Sequence, residues 1–165
     1  MGAADAVDVI VEQWRRERPD LDPGAKEVTG RIIRLASLFQ QSYGEVFEAL
    51  GLNDGDYGLL AALRRAGAPC ELTPTALARH MMMTSGGMTA AIDRLERKGY
   101  AIRVPNPADR RGSLVRLTEA GREVIDEAMA RHVEVEHRLV AVLDEREQTQ
   151  LRNLLHKLLH AVDTR

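Results

Sequence analysis

Apolar residues recur along most of this chain at three- and four-residue intervals, the period of a helix with one buried face. Val7, Ile10, Val11 and Trp14 follow that spacing, with Asp8, Glu12, Arg15 and Arg16 elsewhere, and predict an amphipathic helix over 3–18. Pro19-Asp20-Leu21-Asp22-Pro23-Gly24 then breaks the chain. Val28, Ile32, Leu35, Phe39, Ser42, Val46 and Leu50 form one stripe, widened by Ile33, Ala36, Tyr43 and Phe47, so a long helix is expected over 25–50, ending at Gly51. Asn53 is placed to cap a helix over 54–66 that carries Tyr57, Leu59, Leu60 and Leu63 and closes at Gly67. Thr73 caps the next, with Pro74 at the first helical position, where its missing N–H costs nothing. That helix runs to about Met81. After a short turn, Met82 to Ser85, Thr84 caps another, which stops at Gly99. Beyond Thr118 a helix is expected to about Leu143. Asp144 and Glu147 then form a capping-box pattern ahead of a last helix with the narrow seam Leu151, Leu154, Leu155, Leu158, Leu159 and Val162.

Between Gly99 and Thr118 the period changes. Tyr100–Val104 and Ser113–Leu117 read as two short strands. The segment Pro105-Asn106-Pro107-Ala108-Asp109-Arg110-Arg111-Gly112 reads as a loop with two arginines near its tip. Two helices joined by a short turn and followed by a basic hairpin make a winged helix-turn-helix. The expected fold is therefore mainly α with a small β-hairpin wing. Residues 1–50 supply N-terminal dimerisation helices, 51–118 the DNA-binding winged unit, and 119–165 C-terminal dimerisation helices, because the terminal seams are more apolar than one small winged unit can cover.

Charge sharpens this reading. Residues 72–117 carry eight Lys and Arg (Arg79, Arg94, Arg97, Lys98, Arg103, Arg110, Arg111, Arg116) against Asp93, Glu96 and Asp109. The formal net charge of the whole chain is −2, so a basic segment is set in an acidic body. That is the electrostatic footprint of phosphate contact. Ser85, Gly86, Thr89, Ala90, Asp93, Arg94 and Arg97 lie opposite the core-facing Met88, Ile92 and Leu95, as on a helix that enters a major groove. Ser85 and Thr89 suit base edges or phosphate, and Thr84 stands at the helix start beside them. Gly86 and Gly87 allow close approach, and Arg94 suits a guanine or a phosphate. Thr75 and Arg79, on the preceding helix, suit backbone phosphates.

Composition excludes other classes. The 165 residues are 44% hydrophobic but only 4% aromatic, enough for one aliphatic core. Cys70 is the single cysteine, so no intrachain disulfide forms; only acidic Glu71 adjoins it in sequence, and an inert thiol is expected. The acidic first residues are unlike a signal peptide, and no apolar run approaches the roughly 20 residues of a membrane span. A soluble, cytoplasmic protein with no membrane partner is expected. Asp54-Gly55-Asp56 suggests a calcium loop, but Arg65 stands where such a loop needs a bidentate glutamate. His156 and His160 lack an evident third ligand, and Met81-Met82-Met83 suits core and turn filling. G-x-S-x-G, a phosphate-binding glycine loop and H-E-x-x-H are absent, so neither an enzyme nor a cofactor or metal is expected.

Asp109-Arg110-Arg111, five residues, then Leu117-Thr118 resembles the wing signature D-x-R-x5-L-T of the MarR family of bacterial winged-helix transcription regulators. Ser85-Gly86-Gly87-Met88-Thr89, Ile92-Asp93-Arg94-Leu95-Glu96 and Lys98-Gly99-Tyr100 resemble its recognition helix and exit turn, and the resemblance covers roughly 28–160. It implies a homodimer that presents two winged helices to double-stranded DNA, as a ligand-responsive repressor on a pseudo-palindromic operator. In the family pattern the Asp109 carboxylate orients Arg111 into the minor groove, while Arg110 suits phosphate. The resemblance also implies a site for a small aromatic or anionic effector, with Trp14, Phe39, Tyr43 and Arg103 as candidates. Trp14 and Arg103 match two positions of the urate-sensing branch. Gly58 and Ala91 stand where that branch has an aspartate and an arginine, which counts against urate.

Overall fold

The computed structural model describes residues 3–164 except Met82 and Met83; for Ser85 and Arg110 it describes the backbone alone. The elements are α1 (Ala6–Glu17), α2 (Lys26–Ala49), α3 (Asp54–Arg65), β1 (Glu71–Leu72), α4 (Pro74–Met81), α5 (Ser85–Arg97), β2 (Ala101–Asn106), β3 (Asp109–Leu117), α6 (Glu119–Val140) and α7 (Glu145–Asp163). They fall into two compact units, Met1–Ser42 and Tyr43–Arg165, with the division inside α2. No described helix is long and apolar enough to cross a membrane.

In the first unit Asp5 caps α1, accepting from the N–H groups of Val7 (2.7 Å) and Asp8 (3.1 Å), while the Asp8 carboxylate accepts from the Asp5 N–H at 3.0 Å. Arg31 of α2 bonds both carboxylates, its Nε reaching Asp5 at 2.8 Å. The backbone N–H bonds and then this guanidinium hold both acids below the usual carboxylate range. A Cβ on Gly30 would lie 3.0 Å from Val7, so glycine lets the α2 backbone come close to α1 there. Val7 and Val11 are buried, whereas Val9, Ile10 and Trp14 are exposed.

The second unit owes its helix ends to the expected caps. Asn53, Thr73, Thr84, Thr118 and Asp144 each accept an N–H from the first turn that follows, satisfying donors that would otherwise lack partners. Gly67 and Gly99 take the left-handed conformation that ends a helix (φ +76° and +74°). The core joins Leu59, Leu60 and Leu63 of α3, Leu77 of α4, Met88, Ile92 and Leu95 of α5, Ala101, Val115 and Leu117 of the sheet, and Ile125 and Ala128 of α6. α6 is seated tightly. A Cβ on Gly121 would stand 2.0 Å from the Tyr100 carbonyl oxygen, Thr118 Oγ1 donates to Gly99 O at 2.7 Å, and the Thr118 N–H bonds Tyr100 O at 3.1 Å. No residue of α7 is buried.

The sheet departs from expectation. It has three strands in the order β1-β3-β2, all antiparallel. The short β1 pairs Glu71 with Arg116 and Leu72 with Val115, and the Arg116 guanidinium bonds the Glu71 carboxylate at 2.9 Å. β2 and β3 run longer than the sequence suggests and take in most of the expected loop, leaving Pro107 and Ala108 as the turn. Pro105 pairs with Ser113 inside β2, which is tolerable because β2 is an edge strand. The next pair is Asn106 with Asp109, so Arg110, Arg111 and Gly112 bulge out of register. The two arginines stand on this bulge within β3, not at a loop tip.

Candidate nucleic-acid interface

Helix α5 presents Gly86, Thr89, Ala90, Asp93 and Arg97 outward, opposite the buried Met88, Ala91, Ile92 and Leu95. A Cβ on Gly86 would meet nothing within 4 Å among the described residues, so open space is left there at the start of α5. Thr84 is exposed, and its Oγ1 accepts the Gly87 N–H at 3.2 Å. Thr75 and Arg79 are exposed on α4. In the wing, Asp109 Oδ1 accepts the backbone N–H of Arg111 at 3.0 Å, and a Cβ on Gly112 would crowd the same carboxylate at 2.9 Å. Asp109 thus shapes the bulge through the main chain of Arg111, where the family pattern led us to expect it to orient the side chain. Arg111 itself is exposed. The side chains of Ser85 and Arg110, and all of Met82 and Met83, lie outside the described residues.

The basic character counted along the sequence is redistributed in space. Of the cations in residues 72–117 whose side chains are described, Arg94, Lys98, Arg103 and Arg116 are held by acids. Arg94 Nε donates to Asp56 Oδ1 at 2.6 Å, and Lys98 Nζ donates to Asp56 Oδ2 at 2.6 Å and to Gly51 O at 2.7 Å. Arg103 of β2 bonds Asp93 at 2.6 Å and also Glu96, both on α5, and Arg116 bonds Glu71. Asp56 and Glu71 lie outside the basic segment, so a count along the chain does not register them. Among the described residues Arg79, Arg97 and Arg111 form no ion pair; the Arg97 Nε bonds only the Asp93 carbonyl, at 3.3 Å. Arg94 was expected on the open face, but it sits on the flank of α5 with one third of its side chain exposed.

Asp56 is the residue that sequence reasoning missed. It is the one fully buried charged side chain among the described residues. Burial pushes its pKa up, but the hydrogen bonds and charges of Lys98 and Arg94 outweigh that and hold it below the usual carboxylate range. Its signal was present: Asn53 and Asp56, three apart, form a capping box at the start of α3.

The effector candidates belong to different units. Trp14, half exposed, and Phe39 lie in the first; Tyr43 and Arg103 lie in the second. Tyr43 joins an aromatic group with Phe47, Tyr57 and His132, its ring centroid 4.2 Å from that of His132. Burial and then the Glu136 charge raise the Tyr43 pKa. Ala91 is buried, and a Cβ on Gly58 would press on Met81 at 2.5 Å. Cys70 is buried with an Arg122 nitrogen 3.8 Å from Sγ, a basic neighbour that sequence adjacency does not show. Among the described residues no group of three or more His, Cys, Asp or Glu side chains could hold a metal ion.

Known proteins share this arrangement. A sequence model described as the MarR family matches residues 50–112. The HTH-type transcriptional regulator PecS of Dickeya dadantii (strain 3937) is 36% identical over 157 residues, covering 94% of this chain and 95% of that protein. A crystal structure of a mutant MarR from E. coli complexed with operator DNA superposes with a TM-score of 0.68 at 27% identity, covering 88% of this chain and 97% of the other. A MarR family transcriptional regulator from Streptomyces coelicolor, in complex with DNA, does so with a TM-score of 0.70 at 26% identity, covering 83% and 87%.

Proposed function

This chain belongs to the MarR family of transcriptional regulators and is not an enzyme, and from that premise we propose that it is a ligand-responsive repressor acting in the cytoplasm as a homodimer on a pseudo-palindromic operator. The observation that carries the DNA-binding part is the pairing of an open α5 face with the exposed Arg111 on a bulge of the neighbouring wing. α5 enters the major groove, with Ser85, Gly86, Thr89 and Arg97 toward bases and phosphates. Thr75, Arg79 and Thr84 meet the backbone beside it. The wing follows the strand outward, with Arg110 on phosphate and Arg111 in the minor groove, where a guanidinium suits the negative potential. Asp109 keeps the bulge in shape. Of the helix residues expected to reach DNA, Arg94 approaches only from the flank.

The homodimer rests on α7. Its leucine seam is exposed along the whole helix, which a second copy of the same helix can cover. Two α5 helices so coupled address half-sites about one helical turn, roughly 10 base pairs, apart. An effector binding the two spacings of these helices unequally then shifts operator affinity. The effector is a small aromatic or anionic molecule, and an anion reaching Arg103 must compete with Asp93 and Glu96.

The test is Arg111→Ala in a gel-shift titration at fixed salt, with duplexes selected by the purified protein from a random library. Affinity is expected to fall at least tenfold, about 1.4 kcal/mol. Unchanged affinity removes the wing from the mechanism.

A further inference from the structure

Helix α5 is held from both flanks by ion pairs. On one flank stand Arg94 and Lys98, four residues apart, both on Asp56. On the other stands Arg103, which reaches back from β2 to Asp93 and Glu96. The two attachments differ in kind. Asp93 is half exposed and open to solvent, whereas Asp56 is fully buried and both its oxygens are used. A buried carboxylate with two cations is far stiffer than an exposed pair, because removing a partner leaves a charge without solvent. Asp56 is itself fixed: it sits in the first turn of α3 and closes the capping box with Asn53. Lys98 also bonds the carbonyl of Gly51, in the turn before α3. The chain from the α2–α3 turn through Asp56 to the last turns of α5 is therefore continuous.

We propose that Asp56 is a positioning residue for DNA recognition, fixing the rotation of α5 about its own axis and withholding Arg94 and Lys98 from the DNA phosphates. The helical wheel supports both halves. At 100° per residue, Gly86, Ala90, Asp93 and Arg97 cluster on the outward face, Arg94 lies about 70° round from its centre, and Lys98, the residue that ends the helix, stands further round still, both on the side of α3. Released from Asp56, these two long side chains could swing toward the DNA side, and any turn of α5 in the same sense would carry Thr89 away from it. The buried carboxylate opposes that rotation at two points four residues apart. It favours sequence reading over charge: without it α5 gains two mobile cations that attract any phosphate and say nothing about bases.

The proposal rests on the DNA-binding reading above, and its test separates the two. The wild-type protein is titrated, over a range of salt, against a duplex selected from a random library and against a random-sequence duplex of equal length. Asp56→Asn, Lys98→Gln and Arg97→Gln follow on the same duplexes, with far-UV circular dichroism and thermal melts as the check of folding. Folded Asp56→Asn is expected to lose about tenfold or more of its preference for the selected duplex. Its plot of log affinity against log salt is expected to steepen by up to about 1.8, for two released cations. Lys98→Gln is expected to leave the wild-type slope in place, while Arg97→Gln flattens it by about 0.9. A folded Asp56→Asn protein with wild-type preference or slope overturns the positioning role. So does a flattened slope for Lys98→Gln, which decides the matter alone if Asp56→Asn does not fold. If the wild-type protein binds neither duplex, the DNA-binding reading falls and takes the positioning role with it.

Discussion

The winged unit and α7 use similar leucines to opposite ends. Leu59, Leu60, Leu63, Leu77 and Leu95 are sealed inside one core, whereas Leu151, Leu154, Leu155, Leu158 and Leu159 all face outward. Both sets have the same period, so the difference lies in what surrounds them. Around α3 the chain supplies α4, α5, α6 and the sheet; α7 is joined to the end of α6 by its cap and by Gln148, whose Nε2 bonds Leu143 O at 2.9 Å and Val140 O at 3.4 Å, and none of its residues is buried. One region is complete within a single copy, and the other is the one that the proposed homodimer would cover. Stability in the first should not depend on protein concentration, and in the second it should.

The strongest challenge to that contrast is Leu154→Glu with Leu158→Glu. Placing two charges on the seam should weaken self-association by at least a thousandfold, about 4 kcal/mol, read by analytical ultracentrifugation, while the winged unit stays folded. An unchanged mass would remove α7 from the interface. Leu63→Ala tests the other side. It should destabilise by about 2–5 kcal/mol in denaturant melts, with a shift that is the same at low and high protein concentration. A third test is confined to acid. The Asp56 pKa is depressed in the folded state, so the stability it contributes is present above the unfolded carboxylate value, about 3.9, and is lost as pH falls through the lower folded value. The stability gap between wild type and Asp56→Asn should therefore shrink below about pH 4; a constant gap would mean that the ion pairs are not its source. The smallest effect compares two caps. Thr118→Ala and Asp144→Ala each remove one first-turn acceptor worth about 1 kcal/mol. Only the first also breaks a bond to the turn between α5 and β2, at Gly99 O, so it should shift the thermal midpoint more at low protein concentration.

Local chemistry was legible in the sequence and long-range pairing was not. Asn53, Thr73, Thr84, Thr118 and Asp144 announce their helices because a cap acts within four residues. The core faces of α3 and α5 follow from their period. Strand ends were misjudged because Pro105 and Pro107 read as loop, and only the pairing of β2 at an edge admits Pro105. β1 carries no periodicity in two residues and exists only because β3 lies beside it. Arg94 was assigned to the open face since its partner is 38 positions away. The charge of residues 72–117 misled in the same way: it was summed along the chain, while Asp56 and Glu71 neutralise it through space. The wing arginines were found by motif, but the bulge that displays them is a matter of register.

The edges of the small sheet have a consequence for behaviour at high concentration. An open strand edge is an invitation to stack with a neighbouring molecule, the first step toward fibrous aggregates. Here β1 offers only two residues, and β2 contains a proline that has no N–H to give. The bulge at residues 110–112 interrupts the ladder where the hairpin is most exposed. The wing can therefore project into solvent and carry arginines without recruiting another wing, and crowding on the same stretch of DNA should leave such molecules dispersed.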